Sequence, residues 1–125
     1  MCWPGRSSSW RERKWSGLEF PGCETKNIAL PRLNNLRPTL ESTALKLMEE
    51  AGELGAAIGK LRGMNGEQVT AAGPAVYRAI CRELLDVAQT AITMMYVLEE
   101  QHGVDIDQAL AEHVEKLLAK GYLKL

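Results

Sequence analysis

LESTALKLMEEAGELGAAIGKL, residues 40–61, is the stretch that decides the fold. Leu40, Ala44, Leu47, Ala51, Leu54, Ile58 and Leu61 recur at steps of three and four. That is the repeat of one helix face, not the strict alternation of a half-buried strand. Thr39 suits the N-cap, and Glu41 suits the first turn, where a carboxylate meets the positive end of the helix dipole. At about 100° per residue, Glu50 lies at the edge of the stripe, with Glu53 and Glu49 progressively further round. Gly52, Gly55 and Gly59 each cost a helix on the order of 1 kcal/mol relative to alanine. Small residues there predict the close approach of another helix or of a ligand.

Residues 63–74 read as a loop, marked by Gly63, Asn65, Gly66, Gly73 and Pro74, with Thr70 a candidate cap. Pro74 fits the first turn of a second helix running to Gln101. Tyr77, Ile80, Leu84, Val87, Ala88, Ala91, Met95 and Leu98 form its stripe, and Ile92, Met94 and Val97 widen it. This helix is expected to be central, with apolar surface left over for a second subunit to cover. Gly103 suits a left-handed cap after His102. Asp105 and Gln108 have the spacing of a capping box for a third helix, whose face is Leu110, Val114, Leu117 and Leu118 and whose stop is Gly121. Upstream, a short helical turn is expected around Asn27–Leu30, limited by Pro31 and Pro38, with Leu33 and Leu36 feeding the core. Residues 1–22 hold all three tryptophans, Trp3, Trp10 and Trp15, among serine, proline and glycine breakers. They read as an arm that docks its indoles on its own domain or on a neighbouring subunit. The expected architecture is all-α: a bundle of three long helices plus the short N-terminal turn, with an arm over 1–22 and a domain over 23–125.

The 125 residues predict one domain, and 46% hydrophobic content suffices for a core. Fifteen Lys and Arg against sixteen Asp and Glu leave a net charge of −1. That excludes a global basic field of the kind that gathers nucleic acid polymers or anionic membranes. Cys2, Cys23 and Cys81 are scattered and odd in number, which suits reduced thiols in a cytoplasmic protein better than a disulfide framework or a zinc site. The most apolar stretch, 84–98, is broken by Asp86, Gln89, Thr90 and Thr93, so no membrane helix is expected. The N-terminus has arginines but no apolar run of a secretory signal.

The chemistry lies in two acidic pairs, Glu50-x-x-Glu53 and Glu83-x-x-Asp86. Three-residue spacing puts both members on one side of a helix. Two such helices laid antiparallel would gather several carboxylates, which repel unless cations or protons compensate them. An all-oxygen cluster suits a hard divalent cation, Mg²⁺ first and Mn²⁺ second. Neighbouring bases are few: Lys46 precedes Glu50 by four, and Arg82 precedes Asp86 by four. Other signals carry less. Glu99-x-x-His102 is one half of a di-iron ligand pattern with no second half, and its histidine is well placed for the negative end of a helix. His113 reads as surface. Cys81 has no histidine to activate it and is expected to be buried and inert. Met94-Met95 reads as core, and no Walker-type glycine loop is present.

Leu47-Met48-Glu49-Glu50-Ala51-Gly52-Glu53-Leu54 followed by Glu83-Leu84-Leu85-Asp86-Val87 resembles the MazG family of all-α nucleoside triphosphate pyrophosphohydrolases, whose pattern is E-E-x-x-E then E-x-x-D. The resemblance covers roughly residues 38–120. It implies Mg²⁺-dependent cleavage of a nucleoside triphosphate between the α and β phosphates, giving a monophosphate and pyrophosphate. It implies Glu50, Glu53, Glu83 and Asp86 as metal ligands, and Glu49, or Glu50 in a shared role, as the group that orients or deprotonates the attacking water. Lys60, Arg62, Arg78, Arg82, Lys116 and Lys120 are the candidates for the phosphates. Lys116 matches the family's basic position, but Leu117 stands where many members have asparagine, which bears on sugar and base contacts. The resemblance also implies homodimers or homotetramers, in which a partner completes the site. The competing expectations are a non-catalytic helical interaction module and a narrower relative, of the deoxyuridine triphosphatase or phosphoribosyl-ATP pyrophosphatase type.

Overall fold

In the computed structural model, residues 23–63 and 73–124 are described. They form three helices, α1 (Leu40–Leu61), α2 (Pro74–His102) and α3 (Ile106–Ala119), and no strand occurs among them. The all-α expectation holds. The chain divides into two compact units. Residues 30–103 form one, containing α1 and α2. The other draws on the two ends of the chain and contains α3. The tryptophan arm and the middle of the 63–74 loop, with Thr70, lie outside the described residues.

The helix ends follow their local chemistry. Thr39 is extended, and its hydroxyl accepts from the Ser42 N–H at 3.0 Å while the Ser42 hydroxyl accepts from the Thr39 N–H at 2.8 Å. Two otherwise orphaned donors are thereby satisfied reciprocally. Pro74 opens α2, and Gly103 closes it in the left-handed region, with φ of 67°. At Asp105 the expected box is only half formed. Its carboxylate accepts from the Gln108 N–H at 3.0 Å, but the Gln108 side chain reaches forward to Glu112 instead of back. α3 ends in a Schellman arrangement: the Tyr122 N–H donates to the Leu117 carbonyl and the Gly121 N–H to that of Leu118.

α1 and α2 pack on each other as an antiparallel hairpin, with Glu50 opposite Glu83 and Asp86 and Thr43 on the same cavity wall as Thr93. The covered faces keep most of the expected stripes but are rotated to one edge of them. On α1 the expected Leu40, Ala44, Leu47, Leu54 and Leu61 are covered, joined by Thr43, Glu50, Ala57 and Gly59, whereas Ala51 and Ile58 are exposed. On α2 they include Val76, Glu83, Val87, Thr90, Thr93 and Val97, whereas Tyr77, Leu84 and Met95 are exposed. Each helix has an apolar arc broader than one neighbour can cover, and the hairpin uses only one edge of it. That edge carries Glu50 inward and Glu83 part of the way. Val97, expected to need a second subunit, is only 2% exposed, and Ile92 and Met94 are half-buried. Cys81, expected to be buried, is exposed. Thr90 and Thr93 are tolerated inside because their hydroxyls donate to the carbonyls of Asp86 and Gln89, both at 2.9 Å.

No helical turn forms at Asn27–Leu30. Pro31 keeps Leu30 out of the helical region, and a single turn cannot repay its own nucleation. Residues 31–38 instead run as an extended strap along α2. Gln89 donates its amide to the Pro31 carbonyl at 2.8 Å, and Gln101 does the same to Pro38 at 3.0 Å. Twelve helical residues rise roughly 18 Å, a span that seven extended residues cover comfortably. Arg32 pins the strap further by pairing with Glu100 and lying over the Tyr96 ring, 4.7 Å from its centre. Leu33 and Leu36 do not enter the core; they stay exposed and line the groove beneath the strap.

Thr39→Ala should lower the unfolding free energy by about 1 kcal/mol, read as a fall in the urea midpoint at unchanged slope; an unchanged midpoint would mean that the box contributes nothing.

Candidate metal centre and the groove beside it

Glu50 comes from the covered face of α1 and is 7% exposed. Glu83 and Asp86 come from α2, three residues apart and thus on one side of it; Glu83 is half-buried and Asp86 exposed. One carboxylate oxygen from each lies within 4.8 Å of the others. Opposite oxygens of a Mg²⁺ shell are about 4.2 Å apart, twice the metal–oxygen distance, so small side-chain rotations bring these three into one shell. Oε2 of Glu50 and Oε2 of Glu83 are both buried and lack a hydrogen-bond partner. A buried carboxylate oxygen without a donor is costly, and a cation supplies what the protein does not. The donor set fits a hard dication.

Glu53 lies one turn beyond Glu50, outside this trio but coupled to it. The charge on Glu50, chiefly, holds its carboxyl above the usual carboxylate range, with desolvation, the Glu83 and Glu49 charges and a bond to the Glu83 carboxyl adding to the effect. Glu49 is exposed. Lys46 bridges the two adjacent glutamates, its Nζ 3.0 Å from Oε1 of Glu50 and 3.4 Å from Oε1 of Glu49. These contacts, that to Glu50 first, hold the ammonium above its ordinary range. The expected Arg82–Asp86 pair does not form among the described residues. Asp86 instead places a carboxylate oxygen within 4.8 Å of oxygens of Glu50 and Glu83.

Glu50 and Asp86 also form part of the wall of a cavity of about 480 Å³ between the strap and the hairpin. Leu33, Leu36 and Pro38 give it an apolar side, and Thr43, Thr90 and Thr93 a hydroxylated one. A second hollow of about 270 Å³ shares Leu33, Leu36, Arg37, Pro38 and Thr93 and continues the groove toward Tyr96. Among the described residues, the cations of the larger cavity are Arg37 and Lys46. Arg32 is already committed to Glu100, whereas Arg37 pairs with no acid among the described residues.

Four of the expected phosphate-binding cations lie away from this cavity. Lys60, Arg62, Arg78 and Arg82 are exposed and do not line the cavity. Lys60 and Arg62 are ten or more residues along α1 from Glu50, roughly 15 Å. Lys116 and Lys120 are exposed on α3, in the other unit, where Leu117 is half-buried. Sequence reasoning missed Arg37 because nothing local marks it. Its relevance comes from the strap, whose path is fixed by glutamines more than fifty residues away.

The coupling of Glu53 has a testable sign. A carboxyl raised by neighbouring charge contributes stability below its ordinary value near 4.5, and that contribution is lost as pH rises through its folded value. In chelator, Glu53→Gln should therefore melt above the parent at pH 7.5, with the gap closing below pH 4. A gap independent of pH would contradict the repulsion.

Among known proteins, a family model described as the MazG nucleotide pyrophosphohydrolase domain matches residues 38–120. Neither the curated proteins nor the solved structures give a match to the chain. The matched span takes in all of α1, α2 and α3, and with them every carboxylate of the cluster. The chain belongs to the MazG nucleotide pyrophosphohydrolase family.

Proposed function

We propose that this chain hydrolyses nucleoside triphosphates between the α and β phosphates, in a Mg²⁺-dependent reaction that yields a nucleoside monophosphate and pyrophosphate. The observation that carries this reading is the pair of buried, partnerless oxygens on Glu50 and Glu83, beside Asp86 at the wall of a nucleotide-sized cavity. Glu50, Glu83 and Asp86 would hold the metal, with Glu53 as the neighbouring carboxylate that can join them. When bound, Mg²⁺ neutralises charge developing on the phosphate oxygens and makes a water more acidic. Mn²⁺ is expected to substitute.

The protein's own groups divide the remaining work. Glu49 and Glu50 were the candidates for water activation. Glu50 has one oxygen on Lys46 and the other aimed into the cluster, so it suits ligation. Glu49 keeps an accessible carboxylate one residue away. Glu53, whose carboxyl the Glu50 charge chiefly raises, is a further candidate to accept a proton beside it. Arg37 and Lys46 supply positive charge from the cavity wall, ahead of Lys60, Arg62, Arg78, Arg82, Lys116 and Lys120. The apolar side of the groove, Leu33, Leu36 and Pro38, suits the faces of a base.

The exposed apolar arc suggests how copies assemble. Taking about 100° per residue, Ala51 and Ile58 of α1 and Tyr77, Leu84 and Met95 of α2 fall on the side of the hairpin opposite Glu53 and Asp86. Tyr77 is 61% exposed and Leu84 52%. A second copy laid there forms a four-helix core and leaves both acid faces open, in keeping with a homodimer or homotetramer. No described helix is long and apolar enough to cross a membrane.

A panel of canonical, deoxy and modified nucleoside triphosphates assayed for product should give pyrophosphate. Orthophosphate alone would point to a different reaction, and no product to a non-catalytic module. Glu50→Gln, Glu83→Gln or Asp86→Asn should each cost more than about a hundredfold in rate, the equivalent of several kcal/mol of lost metal stabilisation. Mg²⁺ or Mn²⁺ should raise the parent's melting temperature but not that of these variants. Leu84→Asp should lower the mass measured by light scattering toward that of the monomer; an unchanged mass would exclude this face as the interface.

A further inference from the structure

The geometry points to Lys46 as a built-in counter-ion that holds the place of the metal on Glu50 and moves to the triphosphate when metal and nucleotide arrive. The inference rests on the reading of Glu50, Glu83 and Asp86 as a metal centre. Lys46 Nζ is 3.0 Å from Oε1 of Glu50, the most buried carboxylate of the cluster, while the other Glu50 oxygen has no partner. Its side chain is 54% exposed and, like Glu50, borders the cavity beside the acids.

Three physical points lead from that contact to an exchange. First, without a dication the cluster is anionic, and among the described residues the ammonium of Lys46 is the cation seen bonded to it. Second, a dication on Glu50 withdraws the negative charge that attracts Lys46 and adds a like charge beside it, so metal and ammonium compete for one carboxylate. Third, a lysine stem has four rotatable bonds, and the cavity it borders is where a phosphate bound through the same dication would project. The ammonium therefore loses its partner at the moment a polyanion is delivered next to it. Metal alone binds against this competitor, and metal with triphosphate does not, which makes the two bind cooperatively. Glu49, 3.4 Å from Nζ, keeps the ammonium at the mouth of the cavity during the exchange.

The test is Lys46→Met, which keeps the length of the stem and removes the charge, with Lys46→Arg as the conservative control. Mn²⁺ binding without nucleotide, followed by electron paramagnetic resonance, should tighten about two- to fivefold in Lys46→Met, the range that an exposed ion pair commands. In the same variant KM for the nucleoside triphosphate should rise about tenfold, with a smaller change in kcat. Lys46→Arg should stay near the parent in both. Unchanged or weaker Mn²⁺ binding in Lys46→Met would show that the ammonium does not compete with the metal, and an unchanged KM would show that it does not reach the phosphates; either overturns the inference. A parent protein that takes up no Mn²⁺ would overturn the metal centre itself, a distinguishable failure.

Discussion

A carboxylate turned into the seam between two helices is the constraint on which the rest of this structure depends. Glu50 occupies a position on α1 that an aliphatic side chain would normally fill, and Glu83 answers it from α2. Taking such charges out of water is expensive unless they are paired or bound to metal. The Lys46 contact on Glu50 and the Glu53 carboxyl beside Glu83 still leave one buried oxygen of each glutamate without a partner. The hairpin thus gives up core burial at its centre for an acidic cluster whose donor set fits a dication. The same geometry explains why threonines rather than leucines line the next two turns of α2: Thr90 and Thr93 satisfy their hydroxyls on their own helix and leave room on the cavity side.

The strap turns this acidic seam into one wall of an open groove. Its residues have no regular structure of their own, and two glutamine side chains and the Arg32–Glu100 pair set its course along α2. The cavity it covers is apolar on the strap side and acidic on the hairpin side, with Arg37 and Lys46 between. That distribution matches a nucleotide, whose base is flat and apolar on its faces and whose phosphates need cations. Opposite the acids, the unused part of each helix's apolar arc remains available to a second copy.

Much of this was legible in the residues. The bounds of α1, the proline start and glycine stop of α2, and the Asp105 start of α3 follow from capping chemistry that acts within four residues. The acidic spacing likewise placed Glu83 and Asp86 on one side of α2. What could not be read was rotation. α1 is apolar through more than half its circumference, so periodicity alone could not say which edge meets α2; the true edge places Glu50 inward and leaves Ala51 and Ile58 outside. Nor could the strap be foreseen, because its contacts link residues fifty-eight and sixty-three apart in the chain. The neglect of Arg37 has that same cause, whereas the missing turn at Asn27–Leu30 is a local matter of Pro31 and the cost of nucleating a single turn.

The most direct test of the account is anomalous diffraction from crystals of the full chain grown with Mn²⁺. The account predicts one strong peak within about 2–2.5 Å of carboxylate oxygens from Glu50, Glu83 and Asp86 together. A peak bound elsewhere, or density showing those three side chains turned apart with no metal between them, would contradict it.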